Sequence, residues 1–194
     1  MSVKGTITTA DYLDFNEYKR LIKCLEEEGK YKDCLYAMLS FCLGLRISDV
    51  LKLRWEEIIG CRFIIVTEKK TKKTKRIPIS LETARHIEQI YRKLGKPDLN
   101  ELVFVGRNEK PLTRQGVNLK LKKWKLKYDL NISNFSSHTF RKTFGRYVYE
   151  TMGRSNEALV LLNRIFRHSS ISTTMIYIGL RDDEISDIFN NLAI

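Results

Sequence analysis

Residues 31–43 read YKDCLYAMLSFCL, a run that is apolar on nearly every side when it is wound into a helix. A helix without a polar face is buried by its neighbours, so this run predicts the central helix of the fold. Before it, Asp14 to Glu28 places its apolar residues on one helical face, and Gly29 is suited to end that helix. The core therefore starts from two helices packed together.

The next residues, GLRISD at 44–49, leave the central helix. Gly44 is expected to break it, and Ser48 and Asp49 are expected to cap a short turn whose apolar residues point inward. Arg46 lies at this junction. A charged residue is thereby placed beside the core.

A hairpin and further helices are predicted after this turn. Residues Cys61–Thr67 are β-branched and aromatic, and Lys75–Ile79 could return beside them as an edge strand, with a basic tip between. Leu102–Val105 reads as a short strand or extended stretch. Helical patterns cover Leu81–Leu94, Thr113–Lys127 with Thr113 as cap, Ser137–Glu150, Glu157–Arg167, Ile171–Tyr177 and Asp182–Leu192. The prediction is a single, mainly α domain over residues 1–194 with a small antiparallel β-hairpin.

The amino-acid composition limits the class of protein and the kinds of binding partner to be expected. The chain has 194 residues, 43% of them hydrophobic, which is enough for the core of one large domain. Its formal net charge of +12 favours a polyanion, with nucleic acid ahead of a membrane, since lysines and arginines release counterions from phosphates. There is neither an apolar run of membrane-spanning length nor a signal-peptide pattern. The four cysteines form no CxxC pair and are typical of buried free thiols in a reducing cytoplasm.

Several residues together offer phosphoryl-transfer chemistry. Attack on a phosphodiester needs a nucleophile, cations on the non-bridging oxygens, and an acid for the leaving oxygen. Arg46 and Arg141 carry the planar fork that binds phosphate oxygens in pairs. Tyr177 could attack, and because a neutral phenol is a weak nucleophile, His138 or His168 could take its proton.

These pieces occur in a specific order. The motif GLRISD at 44–49, a basic hairpin with Lys70-Thr71, the His138-x-x-Arg141 pair, and His168 followed nine residues later by Tyr177 resemble the catalytic domain of tyrosine recombinases, the phage integrase family. Each piece alone is common, but all of them in this order are specific, and they cover essentially the whole chain. The resemblance implies the tyrosine-recombinase catalytic-domain fold and site-specific DNA recombination or integration.

The resemblance also implies the roles of the reacting groups. Tyr177 would attack the scissile phosphate, giving a 3′-phosphotyrosine linkage and a free 5′-hydroxyl. Arg46 and Arg141 would bind the phosphate, His138 would help to move the tyrosine proton, and His168 would hydrogen-bond a phosphate oxygen. Because the covalent link conserves the phosphoester energy, neither metal, ATP nor another cofactor is expected.

Supporting roles follow from the same resemblance. Asp49 would orient a neighbour in the site. Lys70 matches the general acid of the family's hairpin, with Lys69 and Lys72 as rivals. In place of the family's usual Leu-Gly before the second histidine, this chain has Phe166-Arg167, and Arg167 is expected to point toward DNA or solvent. Contacts to DNA are expected from Lys69, Lys72, Lys73, Lys75, Arg76 and Arg167, and from part of the lysines around Trp124.

The chain has no room for the separate core-binding domain of most relatives, so it is either an excised catalytic domain or a naturally short recombinase. Residues 182–194 carry an apolar stripe that packs either into a neighbouring protomer or on its own domain. The expected partners are double-stranded DNA and further copies, as a tetramer on DNA and a monomer off it. Cytoplasmic action at the nucleoid is expected.

Two other functions remain open at this point. One is a DNA-binding module with the recombinase fold that does not cut. The other is strand relaxation by a type IB topoisomerase, which uses the same phosphotyrosine chemistry without exchanging strands.

Overall fold

The structure is a computed structural model that describes residues 10–70, 72–106 and 110–180. In these ranges the chain forms eight α-helices and one two-stranded antiparallel sheet, as the mainly α prediction requires. The expected helix Asp182–Leu192 lies outside the described residues. In chain order the elements are α1 (Phe15–Glu27), α2 (Tyr31–Cys42), α3 (Ile47–Val50), a 3₁₀ turn (Trp55–Glu57), β1 (Phe63–Thr67), β2 (Thr74–Pro78), α4 (Leu81–Lys93), α5 (Arg114–Lys127), α6 (Thr139–Thr151), α7 (Asn156–Phe166) and α8 (Ile171–Tyr177).

Polar side chains start most of these helices. The Asp14 carboxylate accepts from the N–H of Asn16 at 2.7 Å, and the predicted cap Thr113 accepts from the N–H of Gly116 at 3.1 Å. Such caps satisfy N–H groups that have no partner inside the helix. Serines do the same at the starts of α4, α7 and α8. Gly29 follows the end of α1 with a φ of +67°, a conformation that glycine adopts without strain.

Helix α2 lies at the centre, as its all-round apolar sequence predicts. Most of its residues are buried, and it packs against α1, α3, α4 and α6. Because the helices of the first half and α6 share this one core, the loop after α2 is held close to α6. Arg46 lies on that loop, and Arg141 lies on α6.

The hairpin forms as predicted, with small shifts of its ends. Phe63 pairs with Pro78 and Thr67 with Thr74, so the two strands run antiparallel. Strand β1 buries Ile64 and Val66 on one face, as the two-residue period of a strand requires.

Residues Leu102–Val105, expected as a short strand or extended stretch, make only isolated bridges within the described chain, because Leu102 pairs with Arg54 while Val105 pairs with Pro111, and no continuous ladder results. One local prediction was wrong. Ser48 and Asp49 do not cap a turn. Helix α3 starts before them, at Ile47, and the Asp49 side chain is used elsewhere.

A second apolar cluster joins α6, α7 and α8. Gly145 on α6 makes the close approach possible, since a Cβ atom there would lie 2.6 Å from Ile178 Cγ2 and 2.9 Å from Phe166 Cε2. Any larger residue would push these elements apart. This packing places Tyr177, the last residue of α8, against the end of α7.

All four cysteines are free, as predicted. Cys34 is buried, and burial raises the pKa of its thiol to about 12. The other three are only half-buried. Among the described residues, no helix combines the length and the apolar character that crossing a membrane would take.

Candidate active site

The structure brings the predicted catalytic residues to one place from separate elements. Arg46 comes from the α2–α3 loop and Arg141 from α6, while His138 immediately precedes α6. His168 follows α7, and Tyr177 ends α8. The hairpin tip carries Lys70, which lies close enough to act electrostatically on His168.

The carbonyl oxygen of Phe166 accepts hydrogen bonds from both arginines. It accepts from Arg141 Nη2 at 3.0 Å and from Arg46 Nη2 at 3.3 Å. Arg141 also donates from Nη1 to the carbonyl of Gly44, and its side chain is buried. Each guanidinium is therefore held by main-chain acceptors, in an orientation set before any ligand binds.

The end of α7 explains why cations gather here. Its last carbonyls have no partner inside the helix and carry the negative end of the helix dipole. Lys75 donates to the carbonyl of Ile165, while Arg46 and Arg141 share that of Phe166. The helix end thus stabilises three positive charges.

Glu68 also belongs to this cluster, and the sequence reasoning missed it. Its carboxylate is fully buried and pairs with Lys75 at 2.8 Å, Arg46 at 3.2 Å and Arg167 at 3.3 Å. One acid at the start of the lysine-rich hairpin, EKKTKK at 68–73, is the signal that could have revealed it. A buried carboxylate requires such pairing.

The expected orientation of Arg167 was wrong. Its backbone has a φ of +54°, the left-handed conformation that explains why glycine suits this position. Its guanidinium turns toward the hairpin, donating to the carbonyls of Lys73 at 3.2 Å and Thr74 at 3.0 Å and pairing with Glu68. The side chain is half-buried, so it does not simply face solvent.

His168 is held as a neutral ring. Its Nδ1 lies 3.1 Å from the hydroxyl of Thr174, which also accepts from Asn163 Nδ2 at 3.2 Å. Burial lowers the pKa of His168 to about 4, and the nearby charges of Arg141 and Arg46 add to the effect. At neutral pH this residue offers hydrogen bonding rather than charge.

Tyr177 carries the feature most typical of a reactive group. Its buried hydroxyl makes no hydrogen bond of good geometry among the described residues, although Arg141 lies near enough for a weak hydrogen bond to the phenol. Burial raises the pKa of this phenol, while the charges of Arg141 and Arg46 act to lower it. Its ring packs edge-on against His168, with ring centres 4.9 Å apart.

Two further titratable groups lie at the start of α6, near Arg141. His138 remains exposed at the start of α6, and partial desolvation lowers its pKa, followed by the charge of Arg141. Lys142 is buried with its Nζ 5.2 Å from the centre of the Tyr177 ring, a cation over an aromatic face. Burial lowers the pKa of Lys142.

Asp49 attaches the hairpin to the site. Its buried carboxylate accepts from the N–H of Lys69 at 3.0 Å and from Ser48 Oγ at 3.2 Å. Because Lys70 is the next residue, this bond constrains the backbone that carries the expected general acid. Asp49 therefore orients the hairpin backbone, which is a supporting role of the kind expected for it.

The other basic residues divide by exposure. Lys69, Lys72, Lys73 and Arg76 are exposed. Lys75 was expected to contact DNA, but its side chain turns inward and only 13% of it is exposed. Burial lowers the pKa of Lys75, while Glu68 acts to raise it. On α5, Lys122 and Lys123 are exposed beside the buried Trp124.

In the part of the chain that the structure describes, one group of side chains could hold a metal ion, namely Glu26, Cys34 and His86. These residues lie on α1, α2 and α4, and the elements that carry Tyr177 and the arginines contribute nothing to the group. His86 pairs with Glu26 through Nε2. The cluster around Tyr177 instead consists of a phenol, two neutral imidazoles and fixed cations, a set suited to binding and attacking a phosphate diester.

Sequence comparison gives the same picture. The sequence model named the phage integrase family matches residues 11–184. The probable integrase/recombinase YoeC of Bacillus subtilis (strain 168) is 35% identical over 141 residues, which are 72% of this chain and 73% of YoeC. Tyrosine recombinase XerD of Staphylococcus haemolyticus (strain JCSC1435) is 24% identical over 188 residues, 93% of this chain and 61% of XerD.

Structural comparison confirms the predicted fold. The XerH site-specific recombinase, in a crystal structure of a post-cleavage complex with palindromic difH substrate, matches with a TM-score of 0.69 and 18% identity. The match covers 98% of this chain and 59% of that one, so this chain spans less than two thirds of the length of XerH and of XerD. Since the family model covers nearly the whole sequence and YoeC shares about a third of the aligned residues, the chain belongs to the phage integrase family.

Proposed function

We propose that the chain cuts and rejoins DNA strands as a tyrosine-type site-specific recombinase, through a 3′-phosphotyrosine intermediate. One observation carries this proposal. The hydroxyl of Tyr177 is buried beside two arginines that are already fixed by main-chain acceptors, and one of them, Arg141, lies near enough for a hydrogen bond to the phenol. A group in this state is suited to meet a phosphate held by the same arginines.

In the proposed reaction, Arg46 and Arg141 bind the non-bridging oxygens of the scissile phosphate. The Tyr177 oxygen bonds to phosphorus, its proton passes to neutral His138, and the bond from phosphorus to the 5′ oxygen breaks. Lys70 gives a proton to that oxygen, with Lys69 and Lys72 as the rivals.

Neutral His168 donates from Nε2 to a phosphate oxygen while its Nδ1 accepts from the Thr174 hydroxyl, consistent with its lowered pKa. Attack on the phosphotyrosine by a 5′-hydroxyl of a partner strand reverses the steps and reseals DNA. Each displacement exchanges one phosphoester for another, so the sequence of steps consumes neither ATP nor a redox partner.

The names of the relatives support this proposal. XerD is a tyrosine recombinase, and XerH is a site-specific recombinase captured with its substrate after cleavage. The substrate proposed for this chain is double-stranded DNA, because the net charge is +12 and the hairpin tip exposes lysines. Exposed Lys69, Lys72, Lys73 and Arg76 are proposed to contact phosphates.

We extend the proposal to assembly. The chain is proposed to act as one catalytic domain, a monomer off DNA and a tetramer on it, with residues 182–194 packing either into a neighbouring protomer or on their own domain. Sedimentation of the chain with and without duplex DNA tests the change of mass. An enzyme of this kind acts where the DNA lies, and four free cysteines fit a reducing compartment, so the proposed location is the cytoplasm, at the nucleoid.

Cleavage is tested with nicked duplexes, which trap the covalent step because the short 5′ fragment diffuses away. One set carries the DNA that flanks the coding sequence, and a second is a library with a randomised centre. A protein–DNA adduct that survives denaturant is expected from the parent and is expected to be absent from Tyr177→Phe. Tyr147→Phe, which removes a hydroxyl from another half-buried tyrosine, is the matched control and is expected to form the adduct.

The alternatives give different outcomes. Tight binding without an adduct from the parent would favour the module that binds DNA without cutting. Relaxation of any supercoiled plasmid without recombinant products would favour the topoisomerase.

A further inference from the structure

We infer that Glu68 is a positioning residue of the cleavage site, which holds Arg46 where the scissile phosphate binds and ties Arg167 to the hairpin. This inference rests on the proposed function and adds to it a residue that is not among the groups assigned to bind or attack phosphate. Glu68 would not touch DNA itself. It would act through the arginine that does.

The contacts of Glu68 divide between its two oxygens. Oε1 faces Arg46 Nη1 at 3.2 Å and Lys75 Nζ at 2.8 Å, and Oε2 faces Arg167 Nη1 at 3.3 Å. The side chain is 0% exposed. Weakly screened by water, these ion pairs act more strongly than pairs at the surface.

The first consequence concerns repulsion among the cations. Arg46, Arg141, Lys75 and Arg167 lie close enough to influence one another, and the charges of Arg141 and Arg167 act to lower the pKa of Lys75. One carboxylate among them reduces this repulsion without cancelling the positive charge. The site therefore remains cationic enough to bind a phosphate.

The second consequence concerns the direction of Arg46. Its guanidinium is held at two points, with Nη1 on Glu68 and Nη2 on the carbonyl of Phe166. With Glu68 neutralised, only the carbonyl would remain of these two anchors, and the plane of the guanidinium could rotate. A displacement of about 1 Å in a positioning group can cost on the order of 100-fold in rate.

Glu68 also connects two parts of the site along the chain. It follows β1 directly and precedes Lys70 by two residues, while Arg167 immediately precedes His168. The pair Glu68–Arg167 thus ties the lysine hairpin to the segment that carries His168. This tie is specific to a chain that has arginine rather than glycine before the histidine.

The test measures two quantities on the 194-residue chain, the rate of adduct formation on the nicked duplexes and the affinity for the same DNA. For Glu68→Gln we expect the rate to fall on the order of 10- to 100-fold. The affinity should stay the same or rise, because one negative charge is removed near the phosphate. A residue that only stabilised the fold would lower both quantities together. Glu88→Gln, which removes one partner of an exposed ion pair with Arg92 on α4, is the matched control and should change neither.

Two more variants test whether Glu68 acts through its charge and through which arginine. Glu68→Asp keeps the charge but shortens the side chain, so it should restore part of the lost rate. Arg167→Gly removes one partner of Glu68 and relieves the left-handed backbone, and it should cost less than Glu68→Gln because Arg46 keeps its anchor. In the double variant the two losses should not multiply, since both remove the same pair.

A parental rate in Glu68→Gln would overturn the inference. So would a loss of rate matched by an equal loss of affinity, or losses that multiply in the double variant. If Glu68→Gln does not fold, a parental rate in Glu68→Asp together with Arg167→Gly would also contradict it. Absence of adduct from the parent would instead overturn the proposed function, and this inference would fall with it.

Discussion

Tyr177 combines two opposing influences on one hydroxyl. Burial raises the pKa of the phenol, which keeps it protonated at neutral pH, while Arg141 and Arg46 favour the phenolate. The charge of the attacking oxygen is therefore stabilised by the same groups that would hold the phosphate. Reactivity on this account depends on the arrival of the substrate, whose leaving oxygen completes the proton transfers.

Residue identities at the site could be predicted to different extents. Arg46, Arg141, His168 and Tyr177 follow from motif order along the chain, and the structure places them together. The carbonyls of Gly44 and Phe166, which orient the arginines, could not be predicted, because every residue has a carbonyl and only packing selects one. Glu68 was missed for a related reason: a charge in a basic turn is usually solvated, and its burial depends on contacts distant in sequence.

The lowered pKa of His168 predicts how stability depends on pH. The pKa is about 4 in the folded chain and about 6.5 in an unfolded one. Between these values the unfolded state binds more protons, so the free energy of unfolding should decrease as the pH falls from 6.5 toward 4. His168→Gln should show a smaller decrease. Urea unfolding at pH 7 and pH 5 measures this difference, and equal decreases in the two proteins would contradict the assignment.

At the scale of elements, the site depends on how closely α6 approaches α7 and α8. Gly145 lies against Phe166, whose carbonyl the two arginines share, and against Ile178, which follows Tyr177. A small residue at one position on α6 thereby sets the separation of the arginines and Tyr177.

This packing predicts the effect of Gly145→Ala. Alanine is favoured over glycine in a helix by about 1 kcal/mol, but here its methyl group would overlap two side chains, and overpacking typically costs about 1–3 kcal/mol. We expect the variant to be less stable and to form adduct more slowly. Gly116→Ala on α5 is the control, because its added Cβ atom would meet only Thr113 Oγ1 at 3.4 Å, and it should be neutral or stabilising. Equal effects of the two changes on denaturant unfolding would contradict the prediction.

Elements were predicted where the signal is local. Caps and apolar periodicity located α1, α2, α4, α5, α7 and α8, because both depend on residues within one or two turns. Leu102–Val105 did not form a regular strand. A strand needs one continuous partner strand, whereas Leu102 pairs with one segment and Val105 with another. The capping expected from Ser48 and Asp49 failed because Asp49 is drawn into a bond with the hairpin, 20 residues away.

At the scale of the molecule, each of the two apolar clusters supports a different part of the site. The larger one, built around α2, carries the loop of Arg46 and the start of the hairpin, while the smaller one carries His168 and Tyr177. Helix α6 contributes to both, with Phe140 in the first and Tyr149 in the second. Arg141 therefore lies where the two clusters meet, and a net charge of +12 surrounds the whole with a field that attracts DNA.

The central claim is that Tyr177 forms the covalent bond to DNA. It is tested most directly by digesting the adduct from nicked duplexes with protease and nuclease and locating the attached nucleotide by mass spectrometry. The account predicts a nucleotide joined through its 3′ phosphate to the peptide that contains Tyr177, and a free 5′-hydroxyl on the released strand. A nucleotide on any other residue, or a linkage through the 5′ phosphate, would contradict it.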